Sequence, residues 1–367
     1  MDLKERAYII NFYYDKAGYY NCEEDLEEVI MLSKTAGVEV ALAENIFLRE
    51  INPSYYITKG KLEIVKNNIL TNNINVVIFN IDLKPSQMRN LEEFLECKVI
   101  CRTELILDIF AQHARTSEAK IQVELAQLKY LLSMLTGYGV LLSRLGGGIG
   151  TRGPGETKLE YDRRHITRRI SLLEKKLKNI EKHRQVITSN RKLKNVALVG
   201  YTNAGKTTLL NILAHQNLKT DDMLFVTLDP ASRKVYLGEN NKFAIFTDTV
   251  GFIKNLPHTL VASFKATLSE VKNADLVLHI VDVYDKNIEE KIEVVNKILF
   301  NELFLDPYKV HLVFNKIDKL ENENIIKRLK EIYPNALFVS AKEKINIDNL
   351  KKFVLIKLEA KNEQEFK

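Results

Sequence analysis

The sequence predicts an α/β protein in three parts: an N-terminal α/β domain over residues 1–115, a basic helical hairpin over 116–194, and a doubly wound α/β domain over 195–367. Three observations predict it. Short apolar runs of strand length alternate with helical stretches at both ends of the chain, the rhythm of mostly parallel sheets. Between them lie two long seams of apolar residues at spacings of four and three. The first apolar run after residue 194 leads straight into Gly200-Tyr201-Thr202-Asn203-Ala204-Gly205-Lys206-Thr207, a P-loop pattern ahead of a helix.

In the first part, Tyr8 to Tyr13, Val38 to Ala41, Asn75 to Asn80 and Val99 to Cys101 read as strands. Glu24 to Ala36, Leu62 to Leu70 and Pro85 to Cys97 read as helices. Thr116 and Ser117 ahead of Glu118 mark a helix start, and Ile121, Leu125, Leu128, Leu132 and Leu135 carry the first seam. Ile166, Ile170, Leu173, Leu177 and Ile180 carry the second, so the two helices should pair antiparallel. Leu145 to Thr157 holds six glycines and one proline, which predicts an irregular loop at the hairpin tip whose bare backbone approaches a partner. From Asn195 onward, Val196 to Val199, Phe243 to Thr247, Leu276 to Val281, Val310 to Phe314 and Leu337 to Val339 read as the strands of a doubly wound sheet.

Composition narrows the class. With 46% hydrophobic and 28% charged residues and only 7 prolines, the chain is neither disordered nor fibrous. Its apolar runs fall short of the roughly 20 residues a membrane helix needs, and no apolar signal segment follows Met1, so a cytoplasmic protein is expected. Cys22, Cys97 and Cys101 lack metal-site spacing and read as reduced thiols. The formal charge of +6 is concentrated: Glu156 to Lys194 holds 13 Lys/Arg against 5 Asp/Glu, leaving the rest slightly acidic. Such a stretch is either the footprint of a nucleic-acid contact or a solvated helix face.

Four elements carry chemistry. In the P-loop pattern, backbone N–H groups and the following helix N-terminus suit phosphates, Lys206 would reach the β- and γ-phosphate oxygens, and the Thr207 hydroxyl would sit on Mg²⁺. Asp248-Thr249-Val250-Gly251 follows a strand as a D-x-x-G element, with Asp248 holding Mg²⁺ through water and Gly251 free to approach the γ-phosphate. Asn315-Lys316-Ile317-Asp318 is an N-K-x-D element, in which Asp318 can accept from the guanine N1–H and exocyclic amine, so GTP is expected over ATP. Ser340-Ala341-Lys342 completes the set, with the Ala341 N–H aimed at guanine O6.

These elements resemble the translation-factor-related P-loop GTPases, so the third part is expected to be a doubly wound P-loop GTPase domain with GTP as substrate. Gly147 to Glu160 (GGIGTRGPGETKLE), Leu224-Phe225-Val226-Thr227-Leu228-Asp229-Pro230 and Asp248 to His258 (DTVGFIKNLPH) resemble the signature of the HflX family. Pro85-Ser86-Gln87, Arg89-Asn90-Leu91 and Ile106 to Ala111 fit that family's N-terminal domain. The resemblance implies a GTPase that associates with the large ribosomal subunit and its RNA and splits or rescues stalled ribosomes, and the chain is expected to be a monomer. It also implies nucleotide contacts from Thr208 and from Phe225, Val226, Thr227, Leu228 and Asp229, with Thr227 completing the Mg²⁺ shell. Arg152, Lys158, Arg163, Arg164 and Arg168 are the expected RNA contacts. Cys101, where many members have Asp, and Thr58, at the usual first glycine of Thr58-Lys59-Gly60-Lys61, depart from the pattern, so no second nucleotide site is carried over.

Phe252 stands where Ras-type enzymes place the glutamine that orients the attacking water, and no side chain is identifiable as a general base. Slow hydrolysis by the isolated protein, stimulated by ribosomes, is expected. A GTPase of ribosome assembly or tRNA modification, and a nucleotide-gated RNA-binding switch with incidental hydrolysis, remain as alternatives.

Overall fold

Strand β1 (Arg6–Tyr13) is buried along almost its whole length, as its run Ala-Tyr-Ile-Ile demands of a strand covered on both faces. It lies inside a four-stranded sheet with β2 (Glu39–Phe47), β3 (Val76–Phe79) and β4 (Lys98–Cys101), in the order β2-β1-β3-β4 and parallel throughout. The computed structural model describes residues 5–145, 154–189, 193–215, 224–225, 230–238, 241–254, 265–320 and 323–365. Helices α1 (Lys16–Thr35), α2 (Lys59–Thr71) and α3 (Pro85–Leu95) supply the crossovers. β2 runs six residues past the Ala41 expected from sequence, because Glu44 and Asn45 interrupt its apolar pattern while bonding Tyr8 and Asn11 of β1. Helix α4 (Arg102–His113), which the strand reading of Val99 to Cys101 did not anticipate, starts directly from β4, its first turn closed by the Glu104 carboxylate accepting from the Cys101 N–H at 3.1 Å.

The two seams are helices α5 (Ser117–Leu145) and α6 (Pro154–Ser189). The Thr116 hydroxyl accepts from the Ala119 N–H at 3.1 Å, an N-cap at the expected start. Leu125, Ile166, Ile170, Leu173 and Leu177 are buried together, with Ile121, Leu128, Leu132 and Leu135 packed against them. Arg169–Glu124 (2.6 Å) and Lys129–Glu174 (2.8 Å) ion pairs flank the seam. One expectation is corrected: Pro154 to Thr157 belong to α6 rather than to the glycine-rich loop, because a proline in the first helical turn has no N–H to lose and brings a φ already suited to a helix. Residues 146–153 of that loop, Arg152 included, lie outside the described residues.

The chain divides into two compact units, Met1–Lys178 and Asn179–Lys367. The second is built on a six-stranded sheet in the order β10-β9-β8-β5-β7-β6, where β5 is Asn195–Gly200, β6 Ala231–Tyr236, β7 Phe243–Asp248, β8 Leu276–Asp282, β9 Val310–Asn315 and β10 Leu337–Phe338. Only β6 runs antiparallel within this sheet. It was not expected, since the edge position leaves Ser232, Arg233 and Lys234 partly or fully exposed and erases the apolar run. Val196, Leu198 and Phe246 face one core with helix α7 (Lys206–Ala214), and Ala197, Val199 and Val277 face the other. The three cysteines are free thiols. Among the described residues no helix is long and apolar enough to cross a membrane.

Candidate nucleotide-binding site

The site forms at the C-terminal ends of β5, β7, β8 and β9, where an open parallel sheet places its loops. β5 ends at Gly200, and the chain turns through left-handed backbone at Asn203 (φ 59°) and Gly205 (φ 87°) into α7. Glycine is required at both ends of the loop by close approach. A Cβ on Gly200 would lie 2.2 Å from the Ile280 carbonyl oxygen, and one on Gly205 would lie 2.3 Å from Nδ2 of Asn315.

Lys206 is buried and folds back over the loop, its Nζ donating to the carbonyls of Gly200 (3.1 Å) and Tyr201 (2.8 Å). Burial pushes its ammonium down to about 8, against the pull of Asp248. Thr207 donates its hydroxyl to Oδ2 of Asp248 at 2.6 Å. The expected Mg²⁺ partners from two separate elements are therefore adjacent, and their oxygens are the hard donors such an ion takes. Thr249 is buried and donates to the Leu198 carbonyl at 2.8 Å, fastening the D-x-x-G strand end to β5.

Gly251 packs against the P-loop itself, since a Cβ there would sit 2.8 Å from Cγ2 of Thr202 and 3.1 Å from Nζ of Lys206. The next residues extend this contact. The Phe252 N–H donates to the Gly200 carbonyl (3.1 Å), the Thr202 N–H donates to the Phe252 carbonyl (2.8 Å), and the Lys254 N–H donates to the Tyr201 hydroxyl (2.7 Å). The Phe252 ring is buried in the core with Val199, Leu268 and Val271.

The base-recognition elements are braced to the same loop. Asn315 donates from Nδ2 to the Ala204 carbonyl and accepts at Oδ1 from the Ala341 N–H, both at 3.0 Å. The Ala341 N–H, expected to face guanine O6, thus lies at the base-recognition element and is joined to Asn315. Lys316, at φ 67°, donates from Nζ to the Asn203 carbonyl at 2.7 Å and pairs with Oδ2 of Asp282 at 2.6 Å. Ser340 donates to Oδ1 of Asp318 at 2.5 Å and accepts from the Glu343 N–H at 3.0 Å. The Lys342 side chain is largely exposed, and Val250 and Ile317 are half-buried around these elements.

Of the remaining expected residues, Thr208 lies half-buried on the first turn of α7 and Phe225 is buried at φ 58°. Val226, Thr227, Leu228 and Asp229 lie outside the described residues. Arg163, Arg164 and Arg168 are exposed on α6, Arg164 paired with Glu160, while Lys158 is described only as backbone of that helix. Two participants were missed. The Tyr201 hydroxyl enters the sequence reading only as part of the P-loop pattern, and Asp282, one residue past the apolar run Leu276 to Val281, is given no role in it.

A P-loop that shares its backbone contacts with D-x-x-G and N-K-x-D elements, at the carboxyl edge of a parallel sheet, defines a P-loop GTP-binding protein. Comparison with known proteins is more specific. Family profiles described as "GTP-binding GTPase N-terminal", "GTP-binding GTPase Middle Region" and "50S ribosome-binding GTPase" match residues 23–111, 113–191 and 195–316. The chain is 49% identical over 335 residues to GTPase HflX of Caldanaerobacter subterraneus subsp. tengcongensis, covering 89% of this chain and 76% of that protein. It is 42% identical over 353 residues to GTPase HflX of Escherichia coli K12, covering 95% and 82%. Among solved structures, the SsGBP and GDP complex matches with a TM-score of 0.53 at 27% identity, over 98% of this chain and 99% of that one. The chain belongs to the HflX family of GTPases.

Proposed function

We propose that this protein hydrolyses GTP in association with the large ribosomal subunit and acts there to split or rescue stalled ribosomes. The observation that carries the reading is the guanine-type pocket braced to a P-loop by Asn315 and Lys316, in a chain whose α6 presents Arg163, Arg164 and Arg168 to solvent. Arg152 and Lys158 would also contact ribosomal RNA phosphates, with the hairpin acting as the segment inserted among them. The profile match described as a 50S ribosome-binding GTPase supports the partner.

Thr207, Thr227 and Asp248, the last through water, would hold Mg²⁺, which when bound places positive charge on the β- and γ-phosphate oxygens. Lys206 brings a second cation from inside the loop, and the backbone from Tyr201 to Thr208 surrounds the phosphates. Asp318, oriented by Ser340, accepts from the guanine edge. Phe225, Val226, Thr227, Leu228 and Asp229 would add nucleotide contacts. Phe252 contributes an apolar ring turned into the core, so the chain positions no water from that residue, and its own turnover is slow.

The test is multiple-turnover hydrolysis of GTP, with ATP in parallel, with and without large subunits at fixed salt. A rise of about 100-fold or more for GTP alone supports the reading, in the range by which a supplied positioning group accelerates such enzymes. Equal rates with and without subunits overturn it. The burial of Phe252 also favours a second reading, a nucleotide-gated RNA-binding switch whose hydrolysis is incidental; it requires GTP and GDP forms to differ in affinity for the large subunit while turnover stays slow.

A further inference from the structure

Asp282 lies at the last position of β8, outside the four nucleotide-binding elements, yet it is only 13% exposed and ends on the Lys316 ammonium. Its two oxygens have separate tasks. Oδ2 accepts the ion pair from Lys316 at 2.6 Å, and Oδ1 accepts from the Tyr284 N–H at 3.0 Å, so the carboxylate is fixed by its own turn before the lysine meets it. Val283 N–H donates to the Asn315 carbonyl at 3.0 Å, locking the same turn to the N-K-x-D strand. The far end of Lys316 is held at two points, Asp282 and the Asn203 carbonyl, and its Cε lies 3.8 Å from where a Cβ on Gly205 would stand. A lysine tethered at its tip has its alkyl stem stretched between the P-loop and β8, beside the N-K-x-D element that the GTP-site reading assigns to the base. A free lysine has a long rotatable stem whose rotamer freedom is lost on ordering.

We propose that Asp282 is a positioning residue for guanine-nucleotide affinity: by holding the Lys316 ammonium on the P-loop it preorganises the wall of the base site and makes base recognition and phosphate binding one rigid body. The proposal rests on the GTP-site reading above. Its consequence is that a nucleotide dissociates slowly because neither half of the site yields separately, and loss of the carboxylate speeds dissociation of GDP and GTP alike.

The experiment is a double-substitution cycle on the full chain, read as the dissociation rate and Kd of fluorescent N-methylanthraniloyl-GDP. Asp282→Asn keeps the size and the acceptor for Tyr284 but removes the charge. The expected result is a Kd about tenfold weaker, carried by a faster off-rate, in the otherwise native chain, and little further loss when Asp282→Asn is added to Lys316→Met. An equal loss in both backgrounds overturns the proposal, because a merely structural effect on β8 would not depend on the lysine. So does an unchanged off-rate in Asp282→Asn alone. The native chain tested for GDP against ADP separates this from failure of the underlying reading, which would show as no preference for GDP.

Discussion

Two parallel sheets in this chain reach the same topological position and treat it in opposite ways. In the N-terminal sheet the strand order reverses between β1 and β3, the point where open α/β sheets hold ligands. Side chains fill it. Asn11 donates to the Cys22 carbonyl (3.0 Å) and to Asn45 (2.7 Å), Asn80 donates to Asn11 (2.9 Å), and Arg102 donates to Asn80 (2.5 Å) while pairing with Glu28. In the second sheet, β5 ends in a glycine-bounded loop, and side chains from the ends of β7 and β9 and from Lys316 brace it from the rim. A network of side chains satisfies itself and rigidifies the sheet edge; a glycine-bounded loop braced from outside leaves no side chain of its own filling the position. The lesson is that topology offers the position and local residue choice decides whether it becomes a core or a site.

The comparison can be broken most strongly at Arg102. Arg102→Met should destabilise the protein by about 3–5 kcal/mol in urea unfolding by leaving Glu28 without its guanidinium, while GDP affinity stays native. A stable variant would show that the N-terminal network is not structural. Next in size, Gly205→Ala should weaken GDP binding about 100-fold, since it combines a left-handed φ with a 2.3 Å clash against Asn315, and global stability should move far less. Titration calorimetry beside thermal melts distinguishes the two. Ser340→Ala removes one hydrogen bond to Asp318 and should cost about 1 kcal/mol of guanine-nucleotide binding, with discrimination between GDP and ADP falling in step.

The smallest effect is a pH slope. His279 on β8 is buried, and burial together with the nearby Lys206 charge pushes it down to about 3. The unfolded chain therefore binds this proton first, so the stability it contributes is complete above about pH 6.5 and is lost as pH falls toward 3. Between pH 7 and 6 the loss should be under about 1 kcal/mol, and His279→Gln should flatten that part of the stability profile.

The legible parts were those where backbone geometry dictates residue type. Gly200, Gly205 and Gly251 stand where a Cβ would collide, so their spacing survives in the sequence as a pattern. The antiparallel seam of α5 and α6 was legible because burial every three or four residues leaves a period. What stayed hidden depends on partners distant in the chain. Nothing near Asp282 marks it as the anchor of Lys316, 34 residues on, and the edge strand β6 pairs through backbone that any side chain permits. The start of α6 was misplaced because Pro154 and Gly155 were weighed as loop formers, although a first helical turn accepts both.

Phe252 and Lys254 are stitched to Gly200, Tyr201 and Thr202 by three hydrogen bonds, and the Phe252 ring is anchored in the core. A segment fastened in this way is part of the P-loop's own framework. Whatever shifts Gly200 to Thr202 therefore also shifts Phe252, so the phosphate loop and the residue after the D-x-x-G element report on one another directly.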